Sequence, residues 1–201
     1  MTALQSILIT GTFMLGCNAC IASNDGTFLI STEDSSVSFD GTQQGVGFAG
    51  SFSDFDGIVV LNTKQLEASS INAAVRIASV STDNEDRDTL LLGTDWLNAQ
   101  AWSTATFSSA SISATGQGTY SATGALTLRN ISRDVEFSFI LDESTGAQKG
   151  PRMIGSIRVN RLDFEVGTGD WVDTDWVSDA VLIRIDLLLI PLLSSGSLET
   201  H

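Results

Sequence analysis

Hydrophobic and polar residues alternate with period two along most of this chain, the mark of strands with one packed face. The clearest run is residues 46–52, where Val46, Phe48, Gly50 and Phe52 share one side. A glycine between two inward phenylalanines removes side-chain volume where another strand or a ligand can approach closely. Asp54 and Asp56 around Phe55 then break the alternation, predicting a bend or bulge that re-aims the chain. Other alternating or apolar runs predict strands over residues 26–31, 35–41, 58–61, 71–77, 103–115, 120–129, 135–141, 153–159, 162–166 and 181–189. In the last, Val181, Ile183, Ile185, Leu187 and Leu189 oppose Arg184 and Asp186, and Pro191 follows.

The period changes once. Thr82 to Glu85 supplies helix-capping residues, and the run Arg87 to Leu92 stops at Gly93, so one short helix is expected with a further turn at 94–97. Residues 64–69 read as a brief helical or looped insertion, Gly116-Gln117-Gly118 as a hairpin turn, and Asn130 as a left-handed turn residue. Sequential strands of this length predict an all-β fold. Specifically, they fit an up-and-down, eight-stranded antiparallel β-barrel with one short helical insertion, since closure removes exposed edges. Eight strands either fill the interior with side chains or hold one small ligand.

Charge narrows the partners. Of 201 residues, 24 are acidic and 10 basic, a formal charge of −14 that repels nucleic-acid phosphates and anionic surfaces. Nucleic acid is excluded as a partner. The 42% hydrophobic content suits one globular domain rather than a disordered chain.

Little catalytic chemistry is on offer. His201, the last residue, is the sole histidine, which excludes a mid-chain Ser-His-Asp triad or a multi-histidine zinc site. The acidic cluster of Asp163, Glu165, Asp170, Asp173, Asp175 and Asp179 does not match an EF-hand loop and reads as a solvated loop. Neither an enzyme nor a cofactor is expected. The most interesting charged pair is Arg87-Asp88, which either orients a ligand headgroup or anchors the helix to the sheet. Trp171 and Trp176, flanked by aspartates, read as loop anchors on a barrel end, with a membrane-dipping rim as the alternative.

Both cysteines, Cys17 and Cys20, sit in an apolar leader, where Cys20-Ile21-Ala22 resembles a cleavage site before Ser23. The apolar run at 4–16 is shorter than the roughly 20 residues a membrane helix needs. Met1 to Ser6 carries no basic residue. Residues 1–22 are expected to be a signal peptide or lipoprotein leader and 23–201 one barrel domain, periplasmic or secreted. Leu15-Gly16-Cys17 is a partial lipobox, so a lipid anchor on Cys17 is the alternative processing.

In order along the chain stand SSVSFDGTQQGVGFAGSFSDFDG, Arg87-Asp88 before Trp96, ATFSS at 105–109, GALTLRN at 124–130 and VNRLDFEVGTGDWVDTDWVSDAVLIRIDL at 159–187. Together these resemble the YceI family of exported, lipocalin-like proteins, from about Phe28 to Leu189. The resemblance implies an extended barrel with an apolar tunnel for a polyisoprenoid chain, such as an isoprenoid quinone, or a similar amphiphilic lipid. It also implies homodimers in some members, and transient membrane contact is a further expectation. Gln43-Gln44 stands where many relatives carry histidine, and Asn130 where a turn glycine is common.

For such a tunnel, the aromatic lining expected here comes first from Phe48, Phe52 and Phe55, with Phe39, Trp96 and Phe107 beside them. Phe137, Phe139 and Phe164 extend the aromatic set, and Val75, Leu126, Ile157 and Ile183 supply aliphatic wall. Gly50 is expected to border the space, so Gly50→Leu is expected to block ligand and leave the barrel folded. Arg87 and Asp88 are the headgroup or helix-anchoring candidates. Two other classes stay open: an accessory to quinone-linked electron transfer or small-molecule enzyme, and a structural or stress protein with a filled core.

Overall fold

Ten extended segments build eight barrel walls in the computed structural model, which describes residues 25–142 and 150–192. They are β1 (Gly26–Gln43), β2 (Val46–Phe52), β3 (Phe55–Leu61), β4 (Ser70–Arg76), β5 (Val80–Ser81), β6 (Thr104–Gly116), β7 (Thr119–Leu128), β8 (Ile131–Asp142), β9 (Arg152–Asn160) and β10 (Ala180–Pro191). Among the described residues there is one α-helix, α1 (Glu85–Leu92), between β5 and β6. Every pairing is antiparallel, and β10 pairs back onto β1, closing the sheet. The count falls to eight because β2 and β3 form one bent wall along β1, and β4 and β5 form the next. Each wall pairs with two neighbours, as expected of an up-and-down barrel, although β6 beyond Ser108 is laddered only to β7.

The bend has a common cause in three neighbouring walls. Between Ser31 and Ser36, five steps along β1 face only two along β10, from Leu188 to Asp186. The odd excess switches which parity faces inward. Phe28 and Ile30 face the interior before the bulge, and Val37 and Phe39 after it. The β2–β3 wall switches at Ser53 and Asp54, from Phe48 and Phe52 to Phe55, Val59 and Leu61. The β4–β5 wall switches through a 3-10 turn at Ile77–Ser79, from Ile71 and Val75 to Val80.

Local polar groups satisfy the interrupted ladders. Thr32 Oγ1 donates to Phe55 O at 2.8 Å, Leu188 N donates to Ser35 Oγ at 2.8 Å, and Arg76 N donates to Asp54 O at 2.9 Å. Two strands expected from sequence, over 26–31 and 35–41, are therefore one strand with a bulge. The break at Asp54–Asp56 is the predicted bend.

Turn chemistry explains the hairpins. Arg129 and Asn130 adopt φ of 51° and 60°, the left-handed pair of a type I′ turn between Leu128 and Ile131. Helix α1 begins where the Asn84 side chain accepts from Arg87 N at 2.8 Å and ends with Gly93 N donating to Leu90 O. The insertion expected at 64–69 contains a 3-10 turn at Leu66–Ala68.

One strand prediction fails: 162–166 is not extended. Arg161–Phe164 forms a 3-10 helix, capped by Glu165 at φ 55°. Leu162, Phe164 and Val166 imitate strand alternation, but the side chain of Arg161 organises the segment instead. Segment 161–179 and the segment around α1 and Trp96 cover one end of the barrel. Gly167 and Thr168 both donate to Asp95 O at 2.8 Å, and Gln44 N donates to Trp176 O at 2.8 Å. The leader, its cleavage site, Cys17 and His201 lie outside the described residues.

Candidate ligand chamber and its mouth

Below the covered end lies a chamber of about 200 Å³, many times the space one water needs. Its wall is almost wholly apolar and draws on every barrel wall except β8. Ten of the expected lining residues face it: Phe39, Phe48, Phe52, Phe55, Val75, Trp96, Leu126, Ile157, Phe164 and Ile183. Phe39 packs edge-on to Phe48 at 6.4 Å and tilted against Phe52 at 5.7 Å, forming an aromatic corner at the level of the bend.

Four expected lining residues do not face the chamber. Phe107, Phe137 and Phe139 are buried against one another, with centroids 6.2 Å apart for Phe107–Phe137 and 5.0 Å for Phe137–Phe139. Tyr120 stacks on Phe139 at 5.4 Å. The mouth end of β7 and β8 is marked by Arg129, whose Nη1 donates to Trp96 O and Glu165 O at 2.5 Å each. Phe137 and Phe139 lie further along β8, so this stack fills the barrel interior on the β8 side, next to the lining residues Leu126 and Ile157 that pair with Phe107 and Phe137.

Gly50 is the fourth. A Cβ there would stand 2.4 Å from Phe39 Cζ and 2.9 Å from Thr82 Cγ2, so the missing side chain makes room for the Phe39 ring. Gly50→Leu would strike that ring rather than project into empty space. The variant is expected to lose roughly 1–3 kcal/mol to overpacking, measured by urea denaturation. Unchanged stability would show that Phe39 swings aside at no cost.

Sequence reasoning missed the one buried charge at the chamber wall. Arg161 is 4% exposed and lines the chamber. Its Nη1 donates to Val166 O (2.8 Å) and Gly167 O (2.9 Å), its Nη2 to Trp171 O (2.7 Å) and Val177 O (2.8 Å), and its Nε to Ser178 O (3.2 Å). A planar donor fork thus ties the cap together. The guanidinium lies 5.6 Å from the Trp96 ring. Burial pushes its pKa below the ordinary arginine value, and the Asp179 carboxylate partly offsets this. Gly167 has φ +77°, and a Cβ there would meet Arg161 Nη1 at 2.2 Å, so cap backbone and guanidinium fit only without a side chain. Ala105, a lining residue that sequence reasoning missed, carries a small side chain that leaves space rather than fills it, as does Ala73, whose inward place the strand alternation predicts.

The Arg87-Asp88 pair divides. Asp88 Oδ1 accepts from Thr82 N at 2.7 Å and Thr82 Oγ1 at 2.6 Å, and Oδ2 accepts from Ser81 Oγ at 3.3 Å. Asp88 therefore anchors α1 to β5. The Thr82 hydroxyl bond, with smaller help from Thr82 N–H, Ser81 and Arg87, holds its carboxyl below the usual range. Because that pKa is lowered, the anchor is present above the ordinary carboxylate range and is lost as pH falls through the folded value. Asp88→Ala is expected to speed amide exchange across residues 85–92 without unfolding the barrel; unchanged protection there would show another anchor suffices.

Arg87 turns to a small pocket at the mouth, with its Cζ 4.7 Å from the Phe48 ring centroid. Gln43, Leu90 and Trp171 join it there. Phe48, Leu91, Trp96 and Val177 border both the pocket and the chamber, forming a neck. Trp176 and Val172 of the same cap are exposed, and Trp171 packs on Trp96 at 5.5 Å. Among the described residues, no cluster of histidine, cysteine or acidic groups is arranged to hold a metal.

A closed antiparallel barrel with one helix, capped over an apolar chamber, is the lipocalin-like class. The chain belongs to the family of the YceI-like domain, whose model matches residues 28–189. A UPF0312 protein of Vibrio vulnificus is 27% identical over 183 residues, covering 85% of this chain and 95% of that protein. One from Ectopseudomonas mendocina is 40% identical over 86 residues, so in that match the chain spans 45% of the relative's length.

Among solved structures, Burkholderia cenocepacia BcnA superposes with a TM-score of 0.73 at 28% identity, covering 79% of this chain and 98% of BcnA. A Saccharophagus degradans domain described as polyisoprenoid binding superposes with a TM-score of 0.62 at 12% identity, covering 83% of this chain and 98% of that one. At that identity the likeness concerns the fold.

Proposed function

We propose that this chain is a binding or carrier protein that sequesters a polyisoprenoid, or a similar amphiphilic lipid, inside the barrel and works outside the cytoplasm. The observation that carries the reading is the apolar chamber of about 200 Å³ beneath a capped mouth. A long hydrocarbon chain gains about 0.8 kcal/mol for each methylene taken out of water, with no directional chemistry required. Membership of the YceI-like family supports the reading, as does the description of the Saccharophagus degradans neighbour as a polyisoprenoid binding domain. A structural protein with a filled core fits less well: the Phe107–Phe137–Phe139 stack fills only part of the barrel.

The test is to purify the protein from its own host and identify bound lipid by native mass spectrometry and solvent extraction. Recovery of a prenyl-chain lipid in near-stoichiometric amount is the expected result. Protein that is uniformly empty, and that takes up no added prenyl lipid, would sink the reading.

A further inference from the structure

We propose that the packed part of the barrel is a length gauge: the chamber holds a prenyl chain of roughly three or four isoprene units, and Phe137 with its ring neighbours helps to set that limit. The proposal rests on the carrier reading above and gives its ligand a size. Further units of a longer chain stay outside the chamber, at the mouth.

The first argument is where the chamber stops. On β10 the lining residues are Val181, Ile183, Ile185 and Leu187, whereas the next inward residue, Leu189, is fully buried and lines no part of it. Other walls break off in the same way. Phe28 on β1, Val59 on β3, Ile71 on β4 and Met153 on β9 are buried on the side away from the mouth, outside the lining. The walls themselves run on, to Pro191 on β10 and back to Gly26 on β1. At ordinary strand rise and barrel tilt, the lined stretch from Val181 to Leu187 is about 15 Å deep, which accommodates roughly three or four isoprene units of extended chain.

The second argument is that the stop on the β8 side is built rather than incidental. Phe107 and Phe137 pair with Leu126 and Ile157, the lining residues of β7 and β9 farthest from the mouth. A chain advancing past those two meets the ring stack. Phe137 is 2% exposed, and neighbouring walls lack side chains where its stack needs room. A Cβ at Gly155 would stand 2.6 Å from Phe137 Cε2 and 2.8 Å from Phe139 Cβ, besides meeting Ser138 O at 2.3 Å. A Cβ at Gly124 would stand 3.0 Å from Phe107 Cζ. Rings packed this closely yield only by forcing their neighbours off their rotamers.

The experiment measures, by displacement calorimetry, the affinity of the delipidated full chain for all-trans geraniol, farnesol, geranylgeraniol, geranylfarnesol and solanesol. These alcohols differ only in their number of isoprene units. Affinity is expected to climb about tenfold or more per added unit until the chamber is full, at geranylgeraniol or before. It should then change by less than about threefold on going to the longer alcohols. Leu187→Phe fills the deep end and is expected to bring the plateau forward by one unit. Phe137→Ala opens the β8 side and is expected to raise geranylfarnesol affinity about tenfold. Should that variant fail to fold, Leu187→Phe decides alone. Affinity that goes on rising to solanesol in the unaltered chain overturns the gauge, as does a plateau that no folded variant shifts; either result leaves the carrier reading intact. Uptake of none of the alcohols overturns the carrier reading and the gauge with it.

Discussion

Replacing Arg161 by methionine is expected to lower the melting temperature by about 10 °C. Methionine matches much of the side chain's length and removes every donor. The carbonyls of Val166, Gly167, Trp171, Val177 and Ser178 then lose the group that gathers them. Unmaking a buried, charge-assisted set of this kind costs about 3–5 kcal/mol, because acceptors left dry are worse than acceptors never brought together. For a chain of this size each kilocalorie moves the midpoint by about 2–4 °C. Arg161→Lys should fall between the two, since an ammonium has three donors and cannot span a planar fork. Differential scanning calorimetry decides the matter; a shift under about 2 °C would mean that the cap carbonyls find water as readily as they found the guanidinium.

Ala105→Phe is expected to behave in the opposite way. Ala105 sits on β6 opposite Val75, and both line the chamber. A ring placed there enters existing space and gains apolar contact, so stability should hold or rise by about 1 kcal/mol. Lipid retained after purification should fall by about tenfold, because the same volume cannot be occupied twice. The contrast with Gly50→Leu is the useful part. One variant meets a chamber and the other meets Phe39, though the two positions look equally small in sequence. Undiminished lipid in Ala105→Phe would place the ligand elsewhere.

Period-two alternation made the barrel legible, and the capping residues around Asn84 made the helix legible, because both depend on neighbours close in the chain. Alternation says that a side chain faces inward but not at what height along the barrel axis. That is why Phe48 and Phe52, which line the chamber, were indistinguishable from Phe137 and Phe139, which pack on each other instead. Arg161 was illegible for another reason. Its partners are main-chain carbonyls, which every residue has, so their identity depends on the path of the cap and leaves no residue signature. The Arg87-Asp88 pair could be seen to matter, but only the positions of Thr82 and Phe48 separate anchor from mouth.

The parity switch shared by β1, β2–β3 and β4–β5 limits how this chain can change length. Removing one residue from 32–35 would turn Val37 and Phe39 to solvent and carry Ser36, Ser38 and Asp40 into an apolar chamber. Removing two would shorten the bulge and keep every side chain on its own face. Length variation tolerated in this bulge should therefore come in even steps, and an odd step should survive only with a compensating odd step further along the same wall.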